Sequence, residues 1–192
     1  MSRARCTWCD LNSEEYIEYH DKQWGVPVHD DRLLFEMLVL EGMQAGLSWL
    51  SILKKRNNFL KAFDNFDVAT VAAYGEEKVE ELLQDAGIIR NRLKINSVIK
   101  NGGVFLDICK EFGSFDAYIW GWVDNQPLQI DYATKQDIPA QTDLSVKISK
   151  DLKKRGMTFV GPVIIYSLMQ AIGMVNDHDP DCYRRKEITE MS

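Results

Sequence analysis

Long apolar runs are missing from this sequence. The longest, "FVGPVIIYSLMQAIGMV" (159–175), is interrupted and too short to span a bilayer comfortably. The opening "MSRARCTWCD" has no apolar core of the kind an export signal needs. These two absences lead to the expectation of a soluble protein in the cytoplasm, without a membrane. Strand-like alternation is scarce, and no repeat or low-complexity segment occurs, which leaves helices as the main element. Cysteine is sparse: four residues in a chain of 192, more in keeping with metal binding or plain burial than with a disulfide framework. Positive charge is also short, with 23 Lys and Arg against 29 Asp and Glu and a net charge of −6. The surface as a whole therefore does not advertise nucleic-acid binding. What remains is ordinary globular usage, 45% hydrophobic and 27% charged, in a length that suits one domain over 1–192.

Helical signals fill nearly all of it, and the fold class expected is all-α. "LNSEEYIEYHDKQWG" (11–25) opens on Asn12 or Ser13 as cap, with Glu15 at capping-box spacing from Asn12. "DDRLLFEMLVLEGMQAG" (30–46) is apolar almost all round, as a central buried helix would be. Ser48 caps a helix that carries Trp49, Ile52, Leu53, Phe59, Leu60 and Phe63 mainly on one face. Asp67 caps "VATVAAYG", and "EEKVEELLQDAG" is expected to stop with Gly87 just past its end. A helix follows from Asn91 to Phe112, with a kink expected at Gly102-Gly103, and then a short one over 114–123. Residues 124–141 read as irregular. Thr142 caps "DLSVKISKDLKKRG", and Pro162 takes a first helical position.

Near the end stands "VNDHDPDC" (175–182), with His178 and Cys182 four apart. Such a pair can grip a metal, and the N-terminal segment offers Cys6, Cys9 and His20 as partners. Two Cys with two His form a usual tetrahedral zinc set, one that would pin both ends of the chain. Spacing alone does not choose Cys6 over Cys9. His29 lies in a Pro-containing loop, and Cys109 reads as a buried free thiol on an apolar helix face.

Aromatic residues crowd the first quarter: Trp8, Tyr16, Tyr19, Trp24 and Trp49. Among them is Glu41, set between Leu38, Val39, Leu40 and Met43 and so expected to point inward. A buried carboxylate needs a partner or a task. With aromatic faces around it, a flat and cationic ligand would suit. Further on, "LKKRGMTFVGPVIIYSLMQ" (152–170) reads as two helices around a turn bounded by Gly156 and Gly161. The start of the second helix presents unpaired N–H groups, and Lys154 and Arg155 stand just before the turn, a pattern that suits a phosphate. "LKKRNN" (53–58), "RNRLK" (90–94) and "SKDLKKRG" (149–156) are three basic clusters that could add to such a footprint, although any one of them also reads as a solvated helix end.

The segments "YHDKQWGVP" (19–27), "LFEMLVLEGMQAGLSWLSILKKR" (34–56), "DAGIIRNRLKI" (85–95), "LKKRGMTFVGP" (152–162) and "VNDHDPDC" (175–182) resemble, in unbroken order, the 3-methyladenine DNA glycosylase I family. The resemblance runs from about residue 4 to about residue 183. It implies an α-helical member of the helix-hairpin-helix glycosylase superfamily, with one structural zinc ion tying the termini together. The implied ligands are Cys6, His20, His178 and Cys182. The implied base pocket is Trp8, Tyr16, Tyr19, Trp24, Glu41 and Trp49, with Glu41 and Tyr19 closest to the chemistry. The reaction implied is hydrolysis of the N-glycosidic bond of N3-methyladenine in double-stranded DNA, releasing free 3-methyladenine from a monomeric enzyme. Methylation at N3 makes the base cationic and already a good leaving group, so extrusion and recognition become the main tasks. Gly46 and Leu47 are candidates to fill the vacated gap, and Lys154, Arg155, Gly156 and Gly161 to hold the backbone.

Asp177, Asp179 and Asp181 receive no catalytic role and are expected to support the metal ligands or to face solvent. The tail "YRRKEITEMS" has no counterpart in the resemblance, and 184–192 is expected to be flexible. A second reading, a non-catalytic zinc-stabilised helical module that binds DNA, would share the metal and the hairpin but would not need Glu41 inside an aromatic cage. A zinc hydrolase is disfavoured, because four protein ligands leave no position for water.

Overall fold

The computed structural model describes residues 3–191 except 131, 133, 135 and 136, so part of the irregular stretch lies outside the described residues. Helices follow in the order α1 (Glu14–Lys22), α2 (Asp31–Gln44), α3 (Trp49–Ala62), α4 (Val68–Ala72), α5 (Glu76–Gln84), α6 (Arg92–Phe112), α7 (Phe115–Gly121), α8 (Asp143–Arg155), α9 (Pro162–Ala171) and α10 (Tyr183–Thr189). No strand occurs among the described residues. A single parallel bridge joins Leu128 to Val175 and ties the irregular stretch to the segment before His178. No described helix is long and apolar enough to cross a membrane.

Local chemistry explains most boundaries. Asp30, Ser48, Asp67, Asn91 and Ser114 each cap their helix by accepting a backbone N–H. At α1 the cap is Ser13 and not Asn12, and Glu15 bonds the Ser13 hydroxyl at 2.8 Å, so the box anticipated there does not form. Thr142 and Ser145 form one at the start of α8 instead. Gly87 is not the stop of α5, which ends at Gln84; a Cβ on Gly87 would lie 2.8 Å from Asp85 Oδ1, and close approach is its task. The kink anticipated at Gly102-Gly103 is absent, and α6 runs unbroken. There Gly102 leaves room for Ala72, whose backbone would stand 3.4 Å from an added Cβ, and α4 packs closely on α6.

Helix α2 is central as expected, buried from Leu34 to Met43 and in contact with α3, α6, α7 and α9. Phe35, Phe59, Phe63, Phe66, Phe105, Phe115 and Trp120 fill the core around it. A tight turn after α3 with positive φ at Asp64, Asn65 and Phe66 carried no clear sequence signal. Cys109 is only half-buried, its thiol 3.6 Å from Asp31 Oδ2.

The C-terminal tail is not loose through residue 189. Arg184 and Ile188, one helical turn apart on α10, are both buried. Arg185 donates to the carbonyl oxygens of His178 (2.7 Å) and Ile130 (2.8 Å), and Tyr183 N–H to that of Ala4. The apolar Ile188 face and these bonds clamp the tail over the loop that carries His178.

Candidate active site

Cys6, His20, His178 and Cys182 converge, all buried, with ligand atoms within 4.8 Å of one another. The Cys6 sulfur lies 3.3 Å from His178 Nδ1, and the Cys182 sulfur 3.4 Å from His20 Nε2 and 3.5 Å from His178 Nδ1. Tetrahedral zinc with ordinary Zn–S and Zn–N lengths needs sulfur–nitrogen separations of about 3.6 Å. The outer ring nitrogens are also occupied: His20 Nδ1 is 2.8 Å from Asp21 Oδ1, and His178 Nε2 is 3.2 Å from the Trp24 carbonyl. Such contacts fix ring orientation in metal-binding histidines. The hydrogen bond from the Cys6 thiol draws the Cys182 pKa down, aided by His178 and His20, while the same bond pushes Cys6 up. Cys9 is buried nearby but outside the cluster.

Beside this cluster opens a cavity of about 370 Å³, lined by Trp8, Tyr16, Tyr19, Trp24, Glu41, Gln44, Trp49, Ile138, Ser167, Gln170, Asp177 and Asp179. All six residues of the anticipated base pocket are therefore on its wall. Trp8 meets Trp24 edge-on at 4.9 Å, and Tyr19 faces Trp49 at 5.4 Å. The two walls have different supports. Glu41 and Trp49 stand on helices α2 and α3. Trp8 and Trp24 lean on the Cys/His cluster itself, Trp8 at 5.3 Å from the His20 ring and Trp24 at 4.6 Å from that of His178.

Glu41 is 5% exposed and has no hydrogen-bond partner among the described residues. Burial alone raises its pKa to about 8, so it is mainly protonated at neutral pH. Burial likewise keeps the Tyr19 hydroxyl protonated, its pKa well above the usual phenol value. The Trp49 indole N–H is buried and has no partner among the described residues, and the same holds for Asp177 Oδ1. A cavity with an unpaired carboxylic acid, an indole donor and a free carboxylate oxygen among aromatic faces is suited to a flat ligand with polar edges.

Asp177 belongs to this wall, contrary to the expectation that it supports the cluster or faces solvent, whereas Asp179 lines the wall and also supports Cys6 as expected, its N–H donating to the Cys6 sulfur at 3.2 Å. Asp177 is held by Tyr166 (2.5 Å) and Gln170 (2.8 Å), and Asp179 accepts from Thr7 N–H at 2.6 Å. Asp181 is exposed. Ser167 and Gln170 were also missed. Two polar residues three apart on the otherwise apolar α9 were the available signal, since that spacing puts them on one face.

The anticipated DNA surface is reduced by the structure. In the 53–58 cluster, Arg56 serves Glu36 and Lys55 serves the carbonyls of Ala86 and Gly87. Arg92 pairs with Glu76 and Glu80, and Lys94 is buried. Arg155 does not stand free for a phosphate: its guanidinium pairs with Asp151 (2.7 Å) and Glu111 (2.6 Å) and lies over Phe112 and Tyr118. Lys154 is exposed. Gly156 ends α8 in the left-handed region (φ 109°), and Gly161 begins α9 with open space where a Cβ would be and no side-chain cap. Leu47 is 39% exposed on the turn between α2 and α3, next to Gly46 with φ +77°.

Comparison with known proteins agrees with this geometry. The family model described as methyladenine glycosylase matches residues 8–185. The chain is 49% identical to DNA-3-methyladenine glycosylase 1 of Escherichia coli (strain K12) over 178 residues, covering 93% of this chain and 95% of the relative. It is 40% identical to DNA-3-methyladenine glycosylase of Haemophilus influenzae over 179 residues, covering 93% and 96%. A crystal structure of a tyrosine-to-phenylalanine variant of 3-methyladenine DNA glycosylase I, in complex with 3-methyladenine, superposes with a TM-score of 0.91 at 32% identity, over 94% of this chain and 97% of that one. With its aromatic cavity, its buried glutamate and these likenesses along nearly its whole length, the chain belongs to the methyladenine glycosylase family.

Proposed function

We propose that the protein hydrolyses the N-glycosidic bond of N3-methyladenine in alkylated duplex DNA, releasing the free base and leaving an abasic site. The observation that carries this is the unpaired, buried Glu41 inside an aromatic cavity. A module that only bound DNA would have no need of such a group. The extruded base slides between Tyr19, Trp49 and the Trp8–Trp24 wall. Its positive charge favours the Glu41 carboxylate, so Glu41 sheds its proton and accepts a hydrogen bond from the base edge. The bond from C1′ to the base breaks with its electron pair going to the base, which becomes neutral. Water adds its oxygen to C1′, and its proton leaves to solvent.

Cys6, His20, His178 and Cys182 would hold a zinc ion that would supply a cross-link and no reacting group, since four protein ligands leave no position for water. Support comes from the sulfur–nitrogen spacings and from the outer-nitrogen partners of both histidines. Both ligand thiols fit a reducing compartment, in keeping with the cytoplasm. Helices α8 and α9 with the turn 156–161 act as a helix-hairpin-helix that takes the DNA backbone on the N–H groups beside Gly161, with Lys154 as the cation. Leu47 fills the gap left in the duplex. The reading takes the enzyme to work as a monomer. The test is a base-release assay on methylated duplex DNA: free 3-methyladenine is expected, and its absence with DNA binding retained would favour the binding module.

A further inference from the structure

Lys94 stands where its charge is poorly placed for its own helix. It is in the first turn of α6, where Asn91 Oδ1 accepts its N–H at 3.1 Å, and a cation there opposes the helix dipole. It is also 7% exposed, and among the described residues no carboxylate pairs with it. A buried ammonium without an anion is destabilising unless other groups replace its water. Two backbone oxygens do so: Nζ donates to the carbonyls of Met43 (2.7 Å) and Ala45 (2.6 Å). These lie at the C-terminal end of α2, a helix with no basic residue in its own last turn. Lys94 therefore brings from α6 the cation and the donors that this helix end lacks.

Immediately beyond is the turn that exposes Leu47. Gln44 holds it from one side: Gln44 Nε2 donates to the Leu47 carbonyl at 2.7 Å, and Leu47 N–H to the Gln44 carbonyl at 2.7 Å. Lys94 holds it from the other. Glu41 lies one helical turn upstream and Trp49 two residues downstream, so the same link joins the base cavity to the exposed apolar tip. We infer that Lys94 is a positioning residue for base extrusion, fixing the end of α2 so that Leu47 is presented in one orientation to the DNA stack. The inference rests on the reading of Leu47 as the residue that fills the gap. With the ammonium gone, the turn has to be ordered at each encounter with DNA, while the cavity still accepts a free base.

The experiment is a double-mutant cycle of Lys94→Met with Leu47→Ala, reading excision from methylated duplex, affinity for free 3-methyladenine and the thermal midpoint of each variant. Lys94→Met is expected to lower kcat/KM on duplex about tenfold, the scale of losing charge-assisted hydrogen bonds, with free-base affinity unchanged. In the Leu47→Ala background it is expected to add little. A full tenfold further loss there, unchanged excision by Lys94→Met alone, or an equal loss of free-base affinity overturns the role of Lys94 and leaves Leu47 as the gap filler. Normal excision by Leu47→Ala overturns the gap-filling reading and the Lys94 role with it. If Lys94→Met does not fold, Lys94→Gln, which keeps a donor without the charge, is read in the same cycle by the same criteria.

Discussion

Helix α2 buries two carboxylates, and their surroundings differ completely. Glu36, 1% exposed, accepts from Arg56 at 2.6 Å and from Arg32 at 2.9 Å, and Arg56 continues to Gln23. Glu41, little more than a turn further on, has no partner among the described residues and opens onto the aromatic cavity. Burial is the same, yet the first carboxylate is a closed structural contact and the second an open one. An interior acid with its charge answered holds helices together. One with its charge unanswered is waiting for a ligand, and the cavity around it says what kind.

Removing one of the four proposed metal ligands should strike hardest, and on the Glu41 side. His178→Ala is expected to lose the ion, loosen both termini and free the Trp8–Trp24 wall, lowering the melting temperature and free-base affinity together. Cys9→Ala should retain the metal. Elemental analysis and melting curves of the two variants check this, and loss of zinc from Cys9→Ala would contradict the ligand set.

Breaking the closed site comes next. Glu36→Ala leaves Arg56 without its main acceptor and should destabilise by about 3 kcal/mol, toward the low end for a broken buried pair because Arg56 keeps some exposure. Denaturant midpoints give the value, and the folded fraction should excise normally.

The sequence made the open site more legible than the closed one. Glu41 announced itself as a carboxylate in an apolar run, and the aromatic residues and metal ligands carried the family resemblance. Glu36 sits in the same run but drew no notice, because its partners Arg32 and Arg56 read as ordinary surface bases. The basic clusters misled for the same reason: charge count does not show which guanidinium already has a carboxylate, as Arg155 has in Glu111 and Asp151. Helix starts were legible because Ser, Asp, Asn and Thr caps act locally. The order in the tail was not, since it depends on Ile188 and Arg185 meeting segments distant in sequence. Asp177 was seen but misplaced, as spacing cannot tell which side of the loop before Cys182 faces a cavity.

A smaller effect separates the two acids by pH. The folded-state pKa of Glu41 lies near 8, above the ordinary carboxylate value of 4.5. The stability tied to its protonation is thus fully present below about pH 4.5 and is lost as pH rises through about 8. Wild type should weaken relative to Glu41→Gln across that window, by up to a few kcal/mol. A constant difference between their urea midpoints at pH 5 and pH 8.5 would exclude a buried titrating acid. The smallest change is expected from Lys154→Glu, which should weaken binding to damaged and undamaged duplex alike and reduce the salt slope by about one. Loss confined to the lesion would place Lys154 in base recognition.

The most direct test of the open carboxylate is Glu41→Gln, measured for both free 3-methyladenine affinity and excision from methylated duplex. The substitution keeps the shape, removes the charge and turns one acceptor into a donor. A lost hydrogen bond to a charged group is worth roughly 1.5–3 kcal/mol, so base affinity should fall by about one to two powers of ten, with excision lowered too and folding and DNA affinity near normal. Unchanged base affinity with excision reduced by much more than a hundredfold would instead make Glu41 the base that activates water, and would contradict recognition as its role.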